Sequence, residues 1–279
     1  MLKFPPAPTR SKTISYTNSC ISEYLCCHIF ELLGIRAQET LLGTYTDQRG
    51  CEKVVVACKD FTEGGKRLIE FAQLKNTCIN SSQNGYGTEL ASILQAMEEQ
   101  TLIPADQMKA HFWDVFIVDA LLGNFDRHNG NWGILVDEER QTAEIAPVYD
   151  CGSCLYPQLG TQEMEAVLND ESEINRRIHE YPTSAIMDGG AKISYPRFIA
   201  SLQNEDCNQA LERISARIDM ARIETLIQQT PGLLSIQRDF YGIMIRARKE
   251  QILDCGMEQL LRAREQRPDG PVEQGMTLL

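Results

Sequence analysis

The segment that most constrains the fold is a long apolar helix that ends at an abrupt polar break. Residues 106–122 place Met108, Phe112, Phe116, Ala120 and Leu121 at helical spacing, directed toward a core. The chain then reads Gly123-Asn124-Phe125-Asp126-Arg127-His128-Asn129-Gly130-Asn131. Two short strands are predicted next, over 132–136 and 142–145, and Ala146-Pro147-Val148-Tyr149-Asp150 leads into a second loop. A polar loop between an apolar helix and a strand can be held rigidly by core on both sides.

The loop residues point to chemistry. Asp126 is followed by His128 and then Asn131, and a second acid, Asp150, ends the following strand pair. In magnesium-dependent phosphoryl transfer, one carboxylate accepts the proton of the attacking hydroxyl. An amide oxygen and another carboxylate hold the hard cation. An Asp-Arg-His-x-x-Asn string arises by chance in only about one such chain in a thousand. Two other readings compete. Asp and Asn favour turns, so the string is also compatible with a plain polar loop. A two-metal phosphoesterase built on Asp126, His128, His111 and Asp150 leaves Asn131 without a task. A Ser-His-Asp hydrolase finds no support, because no G-x-S-x-G elbow occurs.

The 279 residues are enough for one large domain or two lobes. Residues 4–20 read as extended and polar. A helix is predicted from about Ser22, with Tyr24, Leu25, His28, Ile29, Leu32 and Leu33 in phase and Gly34 as the stop. Strands are predicted over 40–46 and 53–58 around the turn Asp47–Gly50, the second apolar enough to be buried. Helices are predicted over 66–77, 88–99, 161–179, 196–203, 205–229 and 233–264, and residues 266–279 are expected to fray. The layout is a small β-rich part joined near Lys59–Gly65 to a larger helical part.

Charge and cysteines narrow the setting. With 27 basic and 39 acidic side chains the net charge is −12 and the pI about 4.9, which argues against nucleic acid or an anionic membrane as a direct partner. No apolar run approaches the roughly 18–20 residues that cross a bilayer, and the N-terminus has no apolar stretch suited to export. The expected location is therefore cytoplasmic, with the ten cysteines reduced. Cys151 and Cys154 form a single C-x-x-C without the second pair a zinc ribbon requires, and read as buried thiols. Cys26 and Cys27, inside a helix, read as packing.

At the strings 123–133 and 146–150 the sequence resembles the HipA-like Ser/Thr protein kinases, a group that takes in the HipA C-terminal domain and the CtkA-type enzymes. Leu2-Lys3-Phe4-Pro5 and the helix opening Ser22-Glu23-Tyr24 also resemble that family's nucleotide-lysine strand and first helix. The resemblance implies an α+β, two-lobed protein-kinase-like fold. Residues 1–60 would form a small, truncated N-lobe, 61–265 a helical C-lobe and 266–279 a flexible tail. It implies transfer of the ATP γ-phosphoryl group to a Ser or Thr hydroxyl of a protein substrate, with Mg²⁺. Asp126 would be the base, and Asn131 and Asp150 the Mg²⁺ ligands. Lys3 would contact the α/β-phosphates with Glu23 as its partner, and Lys59, Asp60 and Phe61 would form the adenine-facing hinge. His128 would brace the loop.

The sequence departs from the family pattern at its start. Only Met1 and Leu2 precede Lys3, and the nearest glycine pair, Gly64-Gly65, falls at the hinge. The β/γ-phosphates would therefore lack part of their backbone N–H cradle. Three expectations follow: a native chain that begins upstream of Met1, a companion polypeptide that completes the N-lobe, or a weakened or inactive kinase that serves as a kinase-fold binding module.

Overall fold

The computed structural model describes residues 1–5, 17–79 and 84–266. Most of the segment expected to be extended, and the tail from 267, lie outside the described residues.

Three strands build the first sheet: β1 (Leu2–Lys3), β2 (Thr40–Thr46) and β3 (Glu52–Cys58), antiparallel in the order β1-β3-β2. Lys3 stands opposite Val56 on the edge strand β1, beside the central strand β3. Between β1 and β2 runs α1 (Ser19–Leu32), which begins ahead of the predicted Ser22. Its start is tied to a distant segment, where Asn18 Nδ2 donates to Leu159 O at 2.7 Å, and just past its end Gly34 turns the chain at φ +75°. The expected burial of β3 is only partial. Val55 and Val56 are buried, but Ala57 faces outward between Leu2 and Leu41.

The second sheet corrects the prediction of a helix over 66–77. Residues Lys66–Glu70 form β4, and only Phe71–Cys78 form α2. β4 pairs antiparallel with β5 (Gly133–Asp137), which pairs with β6 (Thr142–Ile145). Gly133 makes this pairing possible, since a Cβ there would lie 2.2 Å from the Ile69 carbonyl oxygen. Between α2 and β5 come α3 (Leu90–Glu99) and α4 (Ala105–Leu122).

From Phe112 onward α4 is buried almost all round, so it is the central helix of the larger lobe rather than an amphipathic surface one. It ends at Gly123, in the left-handed region at φ +66°, whose N–H bonds Asp119 O. This glycine cap releases the chain into the polar loop at a fixed angle.

Around α4 stand α5 (Thr161–Leu168), α6 (Glu171–His179), the hairpin β7–β8 (Met187–Asp188, Ala191–Lys192), α7 (Tyr195–Ser201), α8 (Glu205–Ser215), α9 (Met220–Gln229) and α10 (Ser235–Arg248). A π-helical turn over Lys249–Asp254 joins α10 to α11 (Cys255–Glu265). The predicted helices 161–179 and 205–229 are each two helices. Asp170 and Asp219 accept backbone N–H groups as N-caps and so begin new helices inside what reads as one periodic run. Arg248, 1 % exposed, donates to Ala120 O at 2.8 Å and so places a cation at the end of α4.

The two lobes are stitched next to the second loop. Ala37 bridges Val148 in parallel, with Gln38 N–H on Val148 O at 2.8 Å and Val148 N–H on Arg36 O at 2.9 Å. Among the described residues no helix is long and apolar enough to cross a membrane.

Candidate active site

Lys3, Glu23, Asp126 and Asp150 come from four separate parts of the chain and meet around one cavity of about 530 Å³. The β1 register aims Lys3 into it, and its Nζ lies 3.0 Å from both Glu23 Oε1 and Asp150 Oδ1. Glu23 projects from α1 and is 1 % exposed, whereas the Asp150 side chain is 49 % exposed. Gly152 lets the second loop close on α1, since a Cβ there would sit 3.3 Å from Glu23 Oε2. Asp150 itself occupies the left-handed region at φ +58°, which aspartate tolerates better than most non-glycine residues.

The electrostatics follow from burial and pairing. Burial pulls the Lys3 ammonium down, but the Glu23 and Asp150 carboxylates outweigh it, so its pKa stands above the ordinary lysine value. Burial pushes Glu23 up to about 7, with Lys3 opposing. The lysine is thus cationic at neutral pH and faces two acids, an arrangement that suits exchange of one acid for a phosphate.

Asn131 stands behind Asp126 rather than on the cavity lining. Its Nδ2 donates to Asp126 O at 2.8 Å, and no described residue donates to its Oδ1. His128 is committed to the loop: its Nδ1 accepts the Gly130 N–H at 3.0 Å, and its own N–H bonds Asp126 O at 2.8 Å. The structure therefore does not bring the His128 ring to this cavity. Lys59, Asp60 and Phe61 line another cavity, of about 860 Å³, together with Gln38, Glu39 and Pro147. There Lys59 pairs with Glu39 at 2.8 Å, Asp60 accepts from Thr62, and the Phe61 ring lies 5.6 Å from that of Tyr149, next to Asp150.

Two side chains offer the kind of oxygen donor a nucleotide-borne magnesium ion takes, Asp150 on the cavity and Asn131 beside Asp126. Asn131 Oδ1 and the Asp150 carboxylate are hard oxygen donors, and Mg²⁺ takes one or two such groups alongside phosphate oxygens and water. Among the described residues no group of three or more His, Cys, Asp and Glu is placed to hold a metal ion. Cys26, Cys27, Cys151 and Cys154 are free and buried, and their thiols touch one another behind the second loop.

This fold and cavity define a HipA-like kinase. The chain belongs to the family of the HipA-like C-terminal domain, whose model matches residues 1–224. It is 46 % identical over 255 residues to the serine/threonine-protein kinase CtkA of Helicobacter pylori, covering 91 % of this chain and 77 % of that one. A crystal structure of a Helicobacter pylori proinflammatory kinase CtkA superposes with a TM-score of 0.87 at 43 % identity, over 95 % of this chain and 91 % of the other. The fold also matches a structure of the Shewanella oneidensis MR-1 toxin–antitoxin system HipA, HipB and its operator DNA. That match has a TM-score of 0.57 and 15 % identity over 92 % of this chain and 59 % of the other.

Sequence reasoning passed over Gly152, Asn124 and Asp119. The last carried a signal: an acid among Ile117, Val118, Ala120 and Leu121 can be buried only with a partner.

Proposed function

We propose that this chain is an ATP- and Mg²⁺-dependent Ser/Thr protein kinase. The observation that carries the reading is the Lys3 ammonium held 3.0 Å from Asp150 and from Glu23 on a cavity that Asp126 also lines. Lys3 binds the α/β-phosphates when nucleotide enters, and Glu23 keeps its ammonium aimed. Asn131 Oδ1 and Asp150 would hold the Mg²⁺, which would supply charge neutralisation on the phosphates. Asp126 accepts the proton of the Ser or Thr hydroxyl as its oxygen bonds to the γ-phosphorus and ADP leaves. His128 and Gly130 keep the loop in its turn.

The test is calorimetric titration with ATP, with and without Mg²⁺, on the native sequence and on Asp150→Asn. Binding that requires Mg²⁺ and is lost in the variant is the expected result. Absence of Mg²⁺-dependent binding in the native chain would replace the reading by that of a kinase-fold binding module.

A further inference from the structure

Asp119 and Arg127 are a buried ion pair at the end of α4, 1 % and 5 % exposed. Arg127 Nε lies 3.0 Å from Asp119 Oδ2, and its Nη2 lies 3.3 Å from Oδ1. The same guanidinium uses Nη1 to donate to the carbonyl of Asn131 at 3.0 Å and to that of Tyr149, the residue before Asp150, at 2.6 Å. Asp119 Oδ1 also accepts from Asn124 Nδ2 at 2.8 Å, and Asn124 Oδ1 in turn accepts the Asp126 N–H at 3.0 Å. The chain of bonds ends on the backbone of, or directly beside, each of Asp126, Asn131 and Asp150.

A buried ion pair is a weak source of stability, because desolvating two charges costs several kcal/mol that their attraction only roughly repays. The shape of the group explains its presence better. A guanidinium presents planar, divergent donors, so one cation can hold a carboxylate and two carbonyls from different loops at once, which an ammonium on a flexible stem cannot. The covalent geometry of one side chain thereby sets the distance between the two loops. α4, fixed in the core, supplies the anchor through Asp119.

We infer that Asp119 and Arg127, with Asn124, are positioning residues that set the mutual spacing of Asp126, Asn131 and Asp150. The significance of that spacing for phosphoryl transfer rests on the kinase reading above, whereas the bracing itself does not. Arg127→Lys keeps the buried charge opposite Asp119 but removes the fork. Asn124→Ala cuts only the branch to Asp126 and leaves no buried charge unpaired.

The experiment is hydrogen exchange on the full chain, with ATP and Mg²⁺ titrations in parallel. In Arg127→Lys, exchange should accelerate over 124–131 and 147–151 together while the α4 amides keep their protection. Mg²⁺-dependent nucleotide affinity should fall about 10–100-fold, the cost typical of losing a group that orients metal ligands. In Asn124→Ala the acceleration should be confined to 124–131. A folded Arg127→Lys with native exchange in both loops would overturn the inference. If that variant does not fold, native exchange over 124–131 in Asn124→Ala overturns it and faster exchange there supports it. A native chain that binds no Mg·ATP would defeat the kinase reading alone, since the exchange result decides the bracing independently.

Discussion

Asp126 and Asp150 are both carboxylates on the same cavity, yet their surroundings give them separable tasks. Asp150 faces Lys3 directly, where charge on nucleotide and metal would collect. Asp126 has its backbone fixed on both sides, by Asn124 and Asn131, and lines the same cavity without a salt bridge to Lys3. Asp126→Asn should therefore lower kcat by about 10²–10⁴-fold, the usual worth of a positioned base, with Mg·ATP affinity preserved. Rapid-quench assays beside calorimetry would show it, and an unchanged kcat would remove Asp126 from the base role. Asp126, Asn131 and Asp150 stood out in the sequence because polar residues interrupt an apolar pattern there. Asp119 did not, because helical periodicity averages over a single acid. The resemblance put Lys59, Asp60 and Phe61 at an adenine-facing hinge; that they line a cavity separate from the one at Lys3 was not legible in the sequence, because it depends on how distant segments pack.

At the scale of elements, the sequence revealed α1, α4, the β2–β3 pair and the β5–β6 pair, whose periodicity and turn residues agree. It misassigned Lys66–Glu70 because five residues that run straight into α2 carry no period of their own; their pairing with β5, far along the chain, makes them a strand. It also ran α5 into α6 and α8 into α9, since a capping aspartate in mid-run looks like an exposed helical position. The misassigned strand bears on the site, because β5 begins two residues after Asn131. Gly133→Ala would force a methyl to within 2.2 Å of the Ile69 carbonyl, where backbone rather than a flexible side chain must move. The expected cost is about 1–3 kcal/mol, seen as a lower thermal midpoint, with a weakened Mg²⁺ dependence of nucleotide binding. A variant as stable as the native chain would mean that β4 and β5 can separate without consequence.

At the scale of the whole molecule, the buried Glu23 and the half-buried His111 titrate in opposite senses between pH 5 and 7. Burial holds Glu23 near 7 instead of 4.5, so the folded protein keeps a proton that the unfolded chain has released, and stability falls as pH rises through that window. Burial, with the charges of Arg127 and Arg36, lowers His111 from 6.5 to about 4. There the unfolded chain takes up the proton first, so stability is lost as pH falls below 6.5. Each displacement is worth about 3 kcal/mol at roughly 1.4 kcal/mol per pH decade, and the two largely cancel between pH 5 and 6.5. The native chain should therefore show a shallow urea-midpoint profile over that range. Glu23→Gln should uncover a rise in stability from pH 5 to 6.5, and His111→Gln should uncover a fall from pH 5 to 7. Parallel profiles for the native chain and both variants would show that neither group is held away from its ordinary titration. The opposed slopes, if found, would mean that the positions of the acid beside Lys3 and of the histidine near Arg127 set their titration, since the net charge of −12 alone would favour the protonated form of both.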